Sequence, residues 1–117
     1  MAEDWARPVV HWEIQAKDAD KMTKFYSEMF NWNIGEGRIR QIPAGIGAPE
    51  PAITGHLRKS DASRVVLYVQ VLKLEASMAK AKELGGSVLR EPFQPGGGPT
   101  LAWIADPEGN QVVLVQQ

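Results

Sequence analysis

The sequence repeats a strand-then-helix pattern, and this repetition is what most restricts the folds open to the chain. Segments 9–15 (VVHWEIQ) and 65–71 (VVLYVQV) are rich in β-branched and aromatic residues, which is typical of strands. Each is followed by apolar residues at i, i+3 and i+4 spacing, beginning near Asp18 and Leu74, which is typical of an amphipathic helix. An offset of about 55 residues superposes the two halves, and two copies at this period indicate an internal duplication rather than a solenoid.

Three further strands are expected after each helix. They are predicted at 32–36, 38–42 and 52–58 in the first half, and at 87–90, 100–105 and 111–116 in the second. The Gly- and Pro-rich segments 43–55 and 92–99 are expected to be loops. The plan is therefore βαβββ twice over. It predicts one α+β domain over residues 9–117, with modules at about 9–58 and 65–117 and an N-terminal arm at 1–8.

Composition restricts the chemistry. Thirteen basic and fourteen acidic residues give a net charge of −1, so no overall field favours nucleic acid or an anionic membrane as a partner. The absence of cysteine excludes disulfides, thiolate metal sites and a cysteine nucleophile. No signal-like apolar segment and no run of eighteen apolar residues occurs, so we expect a cytoplasmic location and no membrane span.

Three segments resemble the vicinal oxygen chelate superfamily, which includes glyoxalases, bleomycin-resistance proteins and extradiol dioxygenases. HWEIQAKDADKMTKFYSEMFNW resembles its first module: a strand, an acidic cap, a helix with a Phe-Tyr pair, and a following aromatic residue. LEASMAKAKELGGSVL is similar to the second-module helix, and DPEGNQVVLVQ to the closing turn and last strand. The resemblance to single-domain glyoxalase-like proteins implies two modules forming an open barrel-like sheet with a cavity, and a homodimer.

Alternation along the strands predicts which side chains face that cavity. On the first strand Val10, Trp12 and Ile14 should pack under the helix, and on the strand at 65–71 the odd-numbered residues should do the same. The opposite faces should line the cavity, and they carry a set of mainly polar residues: His11, Glu13, Gln15, Val66, Tyr68 and Gln70. Trp103 and His56 are further candidates. Trp103 either lines the cavity or packs in the core, and a one-residue shift would turn His56 outward as a surface or hydrogen-bonded residue.

His11 stands where the superfamily's metal-dependent members carry their first ligand. The resemblance places two further ligands at Val66 and Val113, and valine cannot bind a metal. A stable divalent site needs three or four protein ligands. We therefore expect no cofactor and disfavour a divalent metal, although a rearranged site built from His11, Glu13 and His56 is conceivable.

Three functions are consistent with the sequence. The first is metal-independent binding of a small hydrophobic or aromatic molecule, as in bleomycin-resistance proteins. The second is a glyoxalase-type lyase or isomerase, or a dioxygenase-related enzyme, in which His11 and Glu13 act as an acid–base pair, with or without a divalent metal. The third is a structural or regulatory module that binds a partner chain. Apart from these three functions, His11 and Glu13 have a simpler interpretation than catalysis, as a structural polar pair.

Overall fold

The computed structural model describes residues 6–44 and 53–117. In chain order its elements are β1 (Val9–Ala16), α1 (Ala19–Phe30), β2 (Ile39–Ile42), β3 (Thr54–Lys59), β4 (Arg64–Val71), α2 (Leu74–Glu83), β5 (Ser87–Phe93), β6 (Leu101–Ala105) and β7 (Gln111–Gln116). The α+β class is confirmed. The chain divides into two compact units, His11–Val66 and Leu67–Gln117, the second of which also includes the residues up to Val10. Among the described residues, no helix has the length and apolar character needed to cross a membrane.

In the His11–Val66 unit, β3 lies between two partners. It pairs in parallel with β1 and antiparallel with β2. The helix α1 is capped at its N-terminus by Asp18, whose side chain accepts a hydrogen bond from the backbone N–H of Lys21 at 3.0 Å. It ends at Asn31, which has the left-handed φ of 57° common at helix C-termini.

The core of this unit lies between α1 and one face of its sheet. Its buried members are Ile14, Ala16, Ala19, Ile42 and Leu57, with Trp12, Met22, Tyr26, Trp32 and Ile34 packed against them. The predicted inward face of the first strand is therefore confirmed for Trp12 and Ile14. Gly55 lies directly across from Trp12, and a Cβ at this glycine would stand 2.3 Å from the indole ring. Only glycine fits there without displacing the tryptophan.

The predicted strand at 32–36 is wrong. These residues form no strand in the structure. The Trp32 ring stacks on Tyr26, with ring centroids 5.5 Å apart, and also contacts Trp12. The segment is held to β2 by a hydrogen bond from the Gly35 N–H to the Gln41 carbonyl. Aromatic packing thus decides its path, and the described part of the first module is βαββ rather than βαβββ.

In the Leu67–Gln117 unit the strand order is β4-β7-β6-β5. The β4 and β7 strands run parallel, and the other two pairs are antiparallel. The helix α2 covers one face of this sheet over a core of Val71, Leu74, Met78, Ala102 and Leu114. The predicted closing turn is present: the Asp106 carboxylate accepts hydrogen bonds from the N–H groups of Glu108 and Asn110. Together with β4, this gives the predicted βαβββ plan of the second module.

One prediction about β4 is wrong. Val65 and Leu67 were expected under the second helix, but they are 65% and 46% exposed. The helix α2 packs mainly on β5, β6 and β7, so it does not cover the beginning of β4. Of the four odd-numbered residues, Val71 is the member of the buried cluster.

Candidate functional site

A row of polar side chains lies on the face of β1 and β3 that points away from α1. The parallel register places His11 beside Thr54, Glu13 beside His56, and Gln15 beside Arg58. Side chains two residues apart on a strand share a face, so the alternation that buries Trp12 and Ile14 under α1 brings these six together on the other side. The register therefore settles the orientation of His56, which is 7% exposed and lies beside Glu13.

Glu13 is the centre of this network. Its side chain is 2% exposed. One oxygen, Oε1, accepts hydrogen bonds from His56 Nε2 at 2.7 Å and Arg58 Nε at 3.1 Å. The other oxygen, Oε2, accepts one from Gln15 Nε2 at 2.7 Å. Burial alone would raise the pKa of Glu13, but the hydrogen bonds from His56, Gln15 and Arg58, with the Arg58 charge, lower it to about 2. The carboxylate is therefore ionised at neutral pH.

Two imidazoles extend the network from the carboxylate. His56 Nδ1 lies 2.8 Å from His11 Nε2, and His11 Nδ1 lies 3.3 Å from the Thr54 hydroxyl oxygen. An ionised carboxylate can only accept, so His56 Nε2 must carry a proton. If both rings are neutral, every hydrogen bond points the same way: Thr54 donates to His11, His11 to His56, and His56 to Glu13.

The protonation state of His11 follows from its surroundings. Burial and the neighbouring His56 lower the pKa of His11, and the attraction of Glu13 only partly offsets them. Because the ordinary value of 6.5 is already below neutral pH, His11 is mainly uncharged at pH 7. An uncharged imidazole at the outer part of this chain can accept a proton.

The remaining contacts anchor the network. Ser60 donates from its hydroxyl to Gln15 Oε1 at 3.2 Å, which holds the amide whose N–H binds Glu13. Within the described part of the chain, no buried side-chain nitrogen or oxygen lacks a hydrogen-bond partner. Arg58, Thr54 and Ser60 were not predicted as site residues. The spacing of Thr54, His56 and Arg58 along one strand face was the available signal for two of them.

The other predicted site residues belong mainly to the second unit. Tyr68, Val113 and Trp103 lie side by side on β4, β7 and β6, on the face opposite α2. Gln70 lies two residues further along that face, and its backbone N–H binds the Pro8 carbonyl. Val66 and Val113, the two positions where the resemblance expected metal ligands, are fully buried valines.

The donors present do not fit a metal site of the superfamily's usual kind. Within residues 6–44 and 53–117, no group of three or more His, Asp or Glu side chains is arranged to hold a metal ion. His11 and His56 direct ring nitrogens at each other, and the carboxylate of Glu13 is held by Gln15, His56 and Arg58. The rearranged site of His11, Glu13 and His56 is a hydrogen-bonded chain in this structure.

Comparisons with known proteins agree with this fold. The structure resembles methylmalonyl-CoA epimerase from Streptomyces coelicolor, with a TM-score of 0.62, 17% identity and 94% of each chain covered. It also resembles the Mn(II)-bound glyoxalase from Novosphingobium aromaticivorans (TM-score 0.67, 22% identity), covering 95% of this chain and 40% of that one. A glyoxalase/bleomycin resistance protein/dioxygenase superfamily member from Vibrio splendidus gives a TM-score of 0.65 at 13% identity, with 96% and 100% covered.

At these identities the solved structures establish the fold alone. A search of curated proteins finds no match to the sequence. The sequence profile of the glyoxalase-like domain, in contrast, matches residues 11–115, which is nearly the whole chain. The protein is therefore a member of the glyoxalase-like domain family.

Proposed function

We propose that this protein is a metal-independent acid–base enzyme of the isomerase or lyase type, in which His11 transfers a proton on a small molecule. The supporting observation is the hydrogen-bonded chain from Thr54 through His11 and His56 to Glu13. Of the functions expected from the sequence, this is the enzymatic alternative. It assigns new roles to Glu13 and His56.

The roles follow from burial and protonation. Glu13 is almost fully buried and occupied by donors from the protein, so it orients His56 and does not contact substrate. His56 in turn orients His11. When uncharged His11 takes a proton, the positive charge that forms is stabilised through His56 by the ionised carboxylate of Glu13. The aspartate of a Ser-His-Asp triad stabilises the protonated histidine in a similar way.

The substrate chemistry suited to this site is a small molecule with an acidic C–H beside a carbonyl. His11 Nδ1, which faces Thr54, is the ring nitrogen not used by His56. It would remove the proton and leave an enolate. Delivery of the proton from His11 to a different atom of the enolate would complete an isomerisation, whereas departure of a leaving group with its electron pair, followed by loss of the proton from His11 to water, would complete an elimination. An epimerase and a glyoxalase among the fold neighbours make such reactions the first ones to assay. A hydrophobic or aromatic substrate, a homodimer and a cytoplasmic location belong to the same proposal.

A second candidate is binding of a small molecule without turnover. Both ring nitrogens of His11 have protein partners, and the network satisfies its own hydrogen-bonding groups. Such a network could have a purely structural role, in which it fixes the positions of polar side chains that line a binding site. Under this alternative His11 affects affinity but no reaction.

Proton exchange in deuterated water separates the two candidates. A thermal-shift screen of small carbonyl compounds first supplies ligands, since a ligand that binds the folded state raises the melting temperature. Proton NMR then follows deuterium incorporation at the carbon beside the carbonyl. We expect exchange with the native protein, a loss of about a hundredfold or more in His11→Gln, and little change in the control Lys24→Ala, whose side chain is 80% exposed.

Ligand binding with no exchange above the rate without protein would overturn the enzymatic proposal and support the binding candidate. Exchange that survives His11→Gln would instead assign the chemistry to another group. Exchange abolished by EDTA and restored by a divalent metal would contradict the metal-independent mechanism.

A further inference from the structure

A cavity of about 500 Å³ lies in the His11–Val66 unit, where β1 and β3 end and α1 begins. Six charged side chains line it, four of them basic and two acidic: Lys17, Arg38, Arg40, Lys59, Asp18 and Asp20. They give the cavity a formal net charge of +2, in a chain whose net charge is −1. The cavity therefore has a local excess of positive charge that the whole chain does not have.

Both carboxylates at the cavity already have partners in the protein. Asp20 Oδ1 accepts a hydrogen bond from Arg40 Nη2 at 2.8 Å. Asp18 Oδ1 accepts one from the backbone N–H of Lys21, as the cap of α1. Over the residues that the structure describes, 6–44 and 53–117, no carboxylate forms an ion pair with the other three cations. Three exposed cations without a counter-charge thus surround one cavity.

Arg40 fixes the wall of this cavity. Its side chain is mostly buried, and its Nε donates to the Gly37 carbonyl at 3.0 Å. Its Nη1 donates to the Thr23 hydroxyl at 3.0 Å and to the Ala19 carbonyl at 3.3 Å. Gly37 has a φ of 97°, in the left-handed region that favours glycine. Arg40 therefore ties the turn that carries Arg38 to the beginning of α1.

The two lysines are brought together by strand pairing. Because β1 and β3 run parallel, their carboxyl ends meet at one edge of the sheet, where Ala16 lies beside Lys59 and is followed by Lys17. His11 lies six residues before Lys17, which is about 20 Å along a strand. A small molecule in the cavity would therefore not reach His11, and the inference does not depend on the role of that histidine.

We propose that this cavity binds the phosphate group of a small phosphate monoester through Lys17, Arg38 and Lys59. A phosphate monoester carries about two negative charges at neutral pH and three strong acceptor oxygens. It can therefore engage three cations at once and offset the excess charge of the cavity. The planar guanidinium of Arg38 can donate to two of the oxygens, and the lysines supply compact charges for the third.

Phenyl phosphate is the probe for the test. Benzenesulfonate is its comparison, because it keeps the tetrahedral arrangement of oxygens and carries a smaller charge. NMR titrations at constant ionic strength follow the backbone N–H signals of Lys17, Arg38 and Lys59. We expect saturable shifts with phenyl phosphate, displacement of it by inorganic phosphate, and affinity for benzenesulfonate that is weaker by about fivefold or more.

Paired lysine substitutions test the assigned residues. Lys17→Gln with Lys59→Gln should weaken phenyl phosphate binding by about tenfold or more, since charge-assisted hydrogen bonds are lost. The matched control is Lys80→Gln with Lys82→Gln, which removes the same charge from two exposed lysines of α2 and should leave the affinity unchanged. All four lysines are exposed, so both double variants should fold, which melting curves verify.

The proposal would be overturned by the absence of saturable shifts, or by equal weakening in the two double variants, which would indicate a general effect of charge. Benzenesulfonate binding as tightly as phenyl phosphate would contradict the preference for a doubly charged group. Failure of inorganic phosphate to displace the probe would show that the phenyl ring is recognised instead. Tighter binding of a single-stranded oligonucleotide through the same lysines would make the site a nucleic-acid surface and overturn the assignment to a small molecule.

Discussion

At the scale of single residues, the sequence identified the main chemical groups but not their connections. Alternation along the first strand correctly placed His11, Glu13 and Gln15 on one face. What could not be predicted was that Glu13 lies beside His56, because that pairing depends on the register of a strand more than forty residues away. The register makes Glu13 a buried, ionised anchor held by His56, whereas the sequence had indicated an acid–base pair with His11.

The buried carboxylate should give the protein a measurable acid sensitivity. The pKa of Glu13 is about 2 in the folded protein against 4.5 ordinarily, so its stabilising contribution is complete above pH 4.5 and is lost as the pH falls toward 2. A shift of this size corresponds to about 3 kcal/mol. Glu13→Gln should therefore lose about that much unfolding free energy at pH 7 in urea titrations, and lose progressively less as the pH approaches 2.

Glu28→Gln is the control for this prediction. The Glu28 side chain is 69% exposed and meets Lys24 only at 4.0 Å, so its removal should change stability little at any pH. If the stability curves of Glu13→Gln and the native protein stay parallel from pH 7 to pH 3, the ionised carboxylate does not supply the stabilisation described above.

At the scale of elements, strands with regular alternation were predicted well and the segment after α1 was not. The segment 32–36 contains strand-forming residues, yet Trp32 packs with Trp12 and Tyr26 in the core instead of joining a ladder. Tertiary packing overrides local propensity there. The same packing fixes β3 against β1, since the Trp12 ring covers the site where a side chain at Gly55 would stand.

This contact makes Gly55 sensitive to the addition of a side chain. In Gly55→Ala the new Cβ would meet three atoms of the Trp12 ring at 2.3–2.5 Å, so either the ring or the strand must move. We expect a loss of about 2 kcal/mol or more, as for overpacked cores, measured by urea unfolding. Gly35→Ala is the matched control, because its Cβ would meet the nearest atom at an ordinary 3.5 Å.

A second substitution tests the cause. If the clash is with the indole, the Gly55→Ala change should cost clearly less in a Trp12→Leu background than in the native one, because the smaller side chain leaves room for the methyl group. Equal costs in the two backgrounds would mean that the glycine is required for its backbone and not for the ring above it.

At the scale of the whole molecule, the duplication predicts the fold better than it predicts the chemistry. Each unit contains a parallel strand pair, β1 with β3 and β4 with β7, and each sheet has one face covered by a helix. The faces opposite the helices differ completely: one carries the Glu13 network, and the other carries Tyr68, Trp103 and Arg90. Repetition constrains backbone geometry, whereas each side chain on these faces is free to diverge.

Because the two faces carry different side chains, we expect the whole protein to respond little to added metal ions. A metal bound only by the folded chain at a hundred times its Kd would add about 2.7 kcal/mol of stability and raise the melting temperature by several degrees. The described donors include no group arranged to hold an ion, so we expect Mn(II), Ni(II) and Zn(II) at millimolar concentration, and EDTA, to leave the melting temperature unchanged. Mg(II) controls for ionic strength. A rise with one transition metal that disappears in His11→Ala would show that His11 is a ligand after all, and that its contact with His56 opens to admit the ion.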